Sequence, residues 1–95
     1  MTLTEQLRFM FTTLHGGTVN LTLHLVSIPI IIMGLAQYRL LLLALGGVLE
    51  VVGHVYNYAV RFDQEERRKA RTVFPLQGGI SVVVFVLLLK VFQWF

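Results

Sequence analysis

The chain has 95 residues, 56% of them hydrophobic, and its mean hydropathy is +0.74. A soluble domain of this size needs far more polar residues to cover its surface, so the composition indicates a protein that has lipid as its solvent. Because the chain contains no cysteine, disulfides and thiolate metal ligands are excluded. The formal charge of +3 is concentrated in one basic segment, and no nucleic acid partner is expected.

The N-terminal segment MTLTEQLRFMFTTLHGG predicts a short amphipathic helix at the membrane surface. Its apolar residues recur at helical spacing, at Leu3, Leu7, Met10, Phe11 and Leu14. A secretion signal is not expected, because Glu5 and Arg8 interrupt the place where its apolar core belongs.

Three apolar stretches follow, at 18–36, 40–60 and 78–95. Each is close to the ~20 residues that a helix needs to cross ~30 Å of hydrocarbon. The fold class expected is therefore all-α: an integral membrane helical bundle of three transmembrane helices plus the short N-terminal amphipathic helix, in a single domain, 1–95. The first two spans are joined by a tight turn, and the polar stretch RFDQEERRKARTVFP is expected to form a loop before the third.

The basic residues predict the orientation. With three spans, the N-terminal segment and the polar loop 61–73 share one side, which carries most of the positive charge: Arg8, Arg61, Arg67, Arg68, Lys69 and Arg71. The other side has only Arg39 and Lys90. The positive-inside rule places the N-terminus and the loop in the cytoplasm.

Polar residues inside the first two spans meet at one depth. His24 lies six residues into the first span and His54 six residues before the end of the second, so each is about 9 Å below the same surface. His15 lies just outside, on the same side. The spacing also gives each helix a polar face, formed by Asn20, His24 and Ser27 on the first and by Glu50, His54 and Asn57 on the second.

These faces predict a site rather than simple packing. Isolated serine or asparagine in a membrane usually serves helix packing, and this is the interpretation for Ser27, Asn57 and Ser81. A carboxyl group as deep as Glu50 costs at least ~2.5 kcal/mol unless it is paired or protonated, so intramembrane ionisable residues are read as functional by default. Three histidines without cysteine suit Fe(II), Zn or Cu, and the sequence chemistry leaves that choice open.

The segment HGGTVNLTLHLVSIP has the pattern H-x4-N-x3-H-x4-P, and Gly53-His54 ends a later span. These residues resemble the small membrane family of 2-hydroxy fatty acid dioxygenases, whose fungal members act in phytosphingosine breakdown and which many bacteria share. The resemblance implies an Fe(II)-dependent enzyme that shortens 2-hydroxy fatty acids by one carbon. It implies His15, His24 and His54 as iron ligands with Asn20 close by, a lipid or fatty acid substrate, and the bacterial inner membrane or the endoplasmic reticulum as location.

The sequence also departs from that family, which commonly has four spans and a glutamate after the Gly-His pair. Here Asn57 stands in that region, and Glu50, one turn before His54, is expected to supply the carboxylate and accept the ring N–H of His54. Glu50 and Asn20 are thus the candidate catalytic residues beside the metal. The candidate substrate-binding residues, which would hold the substrate carboxylate, are Arg61, Arg67 and Arg68.

Three other interpretations stay open. Haem b, held by His24 and His54 from facing helices, would make the protein an electron carrier. Zinc at the histidines would activate water for hydrolysis. In a non-catalytic scaffold protein the polar faces would only hold helices together. A homo-oligomer is compatible with each of them.

Overall fold

The computed structural model describes all 95 residues, and they form helices joined by short turns, without any strand. This confirms the all-α prediction. Helix α1 is followed directly by a first π-helical turn, and α3 by a second. In chain order the elements are α1 (Leu3–Phe9), the first π turn (Met10–Leu14), α2 (Thr18–Gln37), α3 (Leu40–Tyr56), the second π turn (Asn57–Arg61) and α4 (Gln64–Val91).

Three helices are long and apolar enough to cross a membrane, as the sequence predicted. They are α2, α3 together with its π turn (Leu40–Arg61), and α4. The 20 residues of α2 span about 30 Å, the thickness of the hydrocarbon layer. Pro29 lies inside a continuous α2, where its missing N–H leaves the carbonyl of Leu25 without the usual helical partner.

Helices α2 and α3 form a tightly packed antiparallel hairpin. Tyr38 turns the chain between them in the left-handed region, at φ 56°. Gly46 and Gly53 are buried where the two helices approach each other. A Cβ atom at Gly46 would collide with the side chain of Ile31, so the absence of a side chain permits this close contact.

The third long helix begins and ends earlier than the sequence suggested. The predicted loop 61–73 is wrong over most of its length, because α4 begins at Gln64; the predicted third span, 78–95, ends at Val91. Asp63 caps the helix: its Oδ1 accepts from the Glu66 N–H at 2.8 Å, and Glu66 Oε1 accepts from the Asp63 N–H at 3.2 Å. The charged residues that suggested a loop lie on the solvent-facing turns of this helix.

The small hydrophobic core lies at one end of the molecule. Ala70 and Val73 of α4 pack there against α1, the first π turn and Phe62; the buried members are Phe9, Met10, Leu14, Phe62, Ala70 and Val73. Of the apolar residues predicted to face the membrane surface, Leu3 and Phe11 are exposed, whereas Met10 and Leu14 are buried in protein. The amphipathic segment therefore covers the end of the bundle.

The opposite end is closed by aromatic residues. Tyr38 donates its hydroxyl hydrogen bond to the Phe92 carbonyl, and the Trp94 indole N–H donates to the Leu35 carbonyl, both at 3.0 Å. The two rings lie 5.4 Å apart. These contacts attach the end of α4 to the turn of the hairpin. The N-terminus and the start of α4 thus share one end of the molecule, and the hairpin turn and the C-terminus share the other.

This arrangement predicts a labelling pattern. The chain has no cysteine, so single cysteines placed at the exposed residues Thr4, Glu65 and Arg39 report sidedness directly. A membrane-impermeant maleimide applied from the cytoplasmic side should label positions 4 and 65 but not 39. Labelling of position 39 alone would show that the protein has the opposite orientation in the membrane. Labelling of 4 and 65 from opposite sides would contradict the fold.

Candidate metal centre

Three histidine rings converge at the end of the bundle that carries the N-terminus. The ring centroids lie 4.9 Å apart for His15–His54 and His24–His54, and 5.5 Å apart for His15–His24. The rings are nearly perpendicular to one another, and one ligand atom from each lies within 4.8 Å of the other two. The histidines come from the turn before α2, from α2 and from α3, so tertiary folding alone assembles the group.

The hydrogen bonds of two rings leave a metal-binding nitrogen free. His15 Nδ1 lies 2.6 Å from the Met10 carbonyl oxygen, and His24 Nδ1 lies 2.9 Å from the Asn20 carbonyl oxygen. A carbonyl oxygen only accepts, so each Nδ1 carries a proton, and in the neutral ring Nε2 then has the free lone pair. Backbone carbonyls hold metal-binding histidines in this way in many proteins, because the bond fixes both the tautomer and the ring orientation.

The third ring has an unpartnered atom. His54 Nδ1 is buried and has no hydrogen-bond partner. A buried polar atom without a partner costs about 1–3 kcal/mol. A metal ion bound to Nε2 would leave the proton on Nδ1, as in the other two rings. The ring therefore fits the same ligand arrangement as the other two.

Two asparagines hold the turn that carries His15. Asn20 donates from Nδ2 to the Leu14 carbonyl at 3.3 Å. Asn57 donates from Nδ2 to the same carbonyl at 3.2 Å and to the Gly16 carbonyl at 2.9 Å. Both side chains are fully buried. The backbone on either side of His15 is thus tied to α2 and to the end of α3, the helices that carry the other two rings.

Asn20 was predicted to be catalytic, but its contacts are those of a positioning residue. Its amide holds the His15 turn, its backbone carbonyl orients His24, and its side chain has no exposed atom. Asn57, predicted to serve packing, has the same positioning role. The sequence signal for this role is the position of Asn57 three residues after His54, which puts both on one face of the helix.

Glu50 lies one turn further into the membrane than His54 and binds a different residue from the one predicted. Its carboxyl Oε1 is 3.0 Å from Ser27 Oγ, and it makes no hydrogen bond with His54, so the predicted bond is wrong. The Ser27 hydroxyl also lies 3.0 Å from the His24 carbonyl. The Ser27 hydroxyl is the donor in both contacts, so its single proton is shared between the Glu50 carboxyl and the His24 carbonyl. Glu50 thereby links α3 to α2.

The three arginines predicted to bind substrate are already paired within the protein. Arg61 donates to the Thr13 carbonyl at 3.2 Å, and Arg68 forms an ion pair with Glu65. Arg67 donates to the carbonyls of Tyr58 and Ala59, at 2.8 and 2.9 Å. It thus satisfies carbonyls in the second π turn. Charge alone could not distinguish arginines that bind groups within the protein from an arginine that is available to a substrate.

Comparison with family models, with curated proteins and with solved structures finds no match to this chain. The case for a metal centre therefore depends on the geometry of the three histidines. The donor set contains only imidazole nitrogens, which suit Fe(II), Zn and Cu.

We expect His15→Ala, His24→Ala and His54→Ala each to remove most of the bound metal while the protein stays folded. Asn20→Ala should cost less, roughly 10- to 100-fold in metal affinity, because it acts through the ligands. Metal content after anaerobic loading, beside circular dichroism, measures both effects. Glu50→Gln is the control: its amide oxygen can accept from Ser27 as the carboxyl does, and the change should leave metal content unchanged. Full metal content in His24→Ala would exclude the site.

A glycine pair tests the packing behind the site. A Cβ at Gly53 would overlap Asn20 Oδ1, whereas a Cβ at Gly47 on the same helix would meet nothing within 4 Å. Gly53→Ala should lower stability by about 1–3 kcal/mol, as overpacking does, and weaken metal binding. Gly47→Ala should change neither. Thermal unfolding and metal titration in detergent compare the two variants, and equal behaviour would show that Asn20 is not held against Gly53.

Proposed function

We propose that this protein is an Fe(II)-dependent dioxygenase of the membrane that shortens 2-hydroxy fatty acids by one carbon. The observation that carries the proposal is the convergence of His15, His24 and His54, with a free Nε2 on two of the rings and a buried unpartnered nitrogen on the third. The histidine motif and its resemblance to 2-hydroxy fatty acid dioxygenases support iron as the metal and the choice of substrate. The three apolar helices support a substrate that is itself dissolved in lipid.

The residues present fit a metal ion of this kind. Metal–nitrogen bonds of about 2.0–2.1 Å, as found for zinc, require ligand atoms closer together than the 4.8 Å limit seen here, so the rings would close slightly on the ion. Three protein ligands leave coordination positions open for small molecules. Zinc also prefers imidazole ligands, so the identity of the metal must be measured directly.

Bound iron would supply a Lewis acid for the 2-hydroxy acid and a centre that reacts with O2. The residues of this chain orient the rings, since the Met10 and Asn20 carbonyls accept the Nδ1 protons and so turn each Nε2 toward the ion. In the overall reaction the C1–C2 bond of the substrate breaks, C2 becomes a carboxylic acid and C1 leaves as CO2. O2 accepts the four electrons and water is the remaining product, so no outside reductant is required.

The ring packing disfavours the haem alternative. A haem iron with two axial histidines needs the two imidazoles on opposite sides of a flat macrocycle. Here the rings of His24 and His54 contact each other edge to face at 4.9 Å, and His15 packs against both. No space separates the rings for a macrocycle.

The test is turnover with a defined metal. Protein purified without a histidine tag is loaded anaerobically with Fe(II) or with Zn and given 2-hydroxyhexadecanoic acid and O2. The Fe(II) protein should form pentadecanoic acid, with one O2 consumed for each product molecule, and hexadecanoic acid should not react. His24→Ala is the inactive control. Fe(II)-loaded protein that consumes no O2, or zinc protein of equal activity, would refute the proposal.

A further inference from the structure

A polar surface pocket lies along the first turns of α4, at the end of the molecule that carries the N-terminus. Its volume is about 430 Å³, and polar residues alone form its walls: Gln64, Glu65, Arg67, Arg68 and Arg71. Positions 64, 67, 68 and 71 have the spacing i, i+3, i+4 and i+7, so they share one face of the helix. The pocket is therefore an arginine-rich helix face, which attracts anions.

Two of the three guanidinium groups in this pocket have no carboxylate partner. Arg68 forms an ion pair with Glu65, and the hydrogen bonds from Arg68 lower the pKa of that carboxyl, so the two charges cancel. Arg67 and Arg71 donate only to uncharged oxygens, which belong to two backbone carbonyls and to the Tyr58 hydroxyl. These two arginines lie four residues apart, and like charges at that spacing on a helix repel each other. An anion bound between them would remove this repulsion.

Tyr58, in the second π turn, orients both of these guanidinium groups. Its backbone carbonyl accepts from Arg67 Nε at 2.8 Å, and its ring centroid lies 6.0 Å from Arg67 Cζ. Its hydroxyl accepts from Arg71 Nη1 at 2.7 Å, and the other N–H groups of Arg71 have no partner within the protein. A long side chain normally loses rotamer freedom when it binds a ligand, and contacts that hold it in advance reduce this loss. The two arginines are thus already arranged to receive an anion.

The position of Arg71 along α4 places the pocket at the level of lipid headgroups. No charged residue lies between Arg71 and Lys90. Residues 72–89, which separate them, span about 27 Å at 1.5 Å per residue, close to the ~30 Å of the hydrocarbon layer. Arg71 therefore lies at the edge of that layer. Arg67 lies about 6 Å further out, within a headgroup region that is about 5–8 Å thick on each side of the bilayer.

We propose that this pocket binds the phosphate group of an anionic phospholipid, with Arg71 and Arg67 as the donors and Tyr58 as the residue that positions them. A planar guanidinium can form two parallel hydrogen bonds with the oxygens of one phosphate. A net negative headgroup fits better than phosphatidylcholine, since the choline cation would lie beside two guanidinium charges. The site is independent of the chemistry at the histidines, and neither requires the other.

The experiment places the 95-residue chain in nanodiscs of phosphatidylglycerol and phosphatidylcholine. Native mass spectrometry of the protein released from the nanodiscs counts the phospholipid molecules that stay bound. Each chain should retain phosphatidylglycerol in preference to phosphatidylcholine. Arg71→Gln should lower this retention about tenfold, because charge-assisted hydrogen bonds are lost. Arg71→Lys should lower it too, since an ammonium group cannot form the two parallel bonds.

Lys69→Gln is the matched control. It removes the same charge from the same turn of α4, but Lys69 lines a different pocket, together with Arg8, so retention should stay at the parent level. Tyr58→Phe leaves the net charge unchanged and removes only the hydroxyl that orients Arg71, so it should lower retention roughly fivefold, as the loss of one neutral hydrogen bond does. Circular dichroism and thermal unfolding in detergent show that the compared variants are folded.

Three results would overturn the phospholipid site. Equal losses in Arg71→Gln and Lys69→Gln would show that anionic lipid is attracted by the overall charge and not by the pocket. Equal retention of phosphatidylcholine and phosphatidylglycerol would show that the headgroup charge is not recognised. Displacement of the bound lipid by millimolar inorganic phosphate would show that the pocket takes a soluble phosphate. Losses in Arg71→Gln and Tyr58→Phe, with full retention in Lys69→Gln, would support the site whether or not the protein is an active dioxygenase.

Discussion

The arrangement of the histidines depends on the carbonyl of Leu14. Two buried amides, from Asn20 and Asn57, donate to it, and Asn57 also holds the Gly16 carbonyl. In a low-dielectric interior such bonds are stronger than in water, and a lost partner is correspondingly expensive. These bonds fix the backbone on both sides of His15, so that its ring faces the helices that carry His24 and His54. Gly17 completes the turn at φ 88°, where Arg61 and Asn57 leave no room for a side chain.

The two ends of the molecule are held together by different contacts. At the end with the hairpin turn, Tyr38 and Trp94 attach α4 to α2 through backbone carbonyls. At the other end the small core, the capped start of α4 and Arg67 fix the segments around the histidines. Between these ends α4 stands away from the hairpin. The end with the candidate metal centre is thus fixed by side-chain contacts, whereas the middle of α4 packs only loosely against the hairpin.

Much of this fold could be predicted from the sequence. The apolar stretches gave the three long helices, and antiparallel spans put His24 and His54 at one depth by simple counting. The start of α4 was missed, although Asp63 followed by Glu66 is a capping-box pattern, because charge density was read as a loop. The partners of Asn20, Asn57 and Glu50 could not be predicted, since each depends on where an irregular backbone carbonyl or a neighbouring helix lies. The same holds for the arginines: only the structure shows that Arg67 donates to backbone carbonyls of the second π turn and that Arg71 donates to the Tyr58 hydroxyl.

The central claim is that one metal ion binds to three imidazoles, through Nε2 of His15 and His24 and a nitrogen of His54. X-ray absorption spectroscopy of the metal-loaded protein, together with metal analysis, tests it most directly. We expect one ion per chain and the scattering pattern of three imidazole ligands, with metal–nitrogen distances of about 2.0–2.1 Å if the ion is zinc. A protein that binds no ion under these conditions, or an ion held by fewer than three imidazoles, would contradict it.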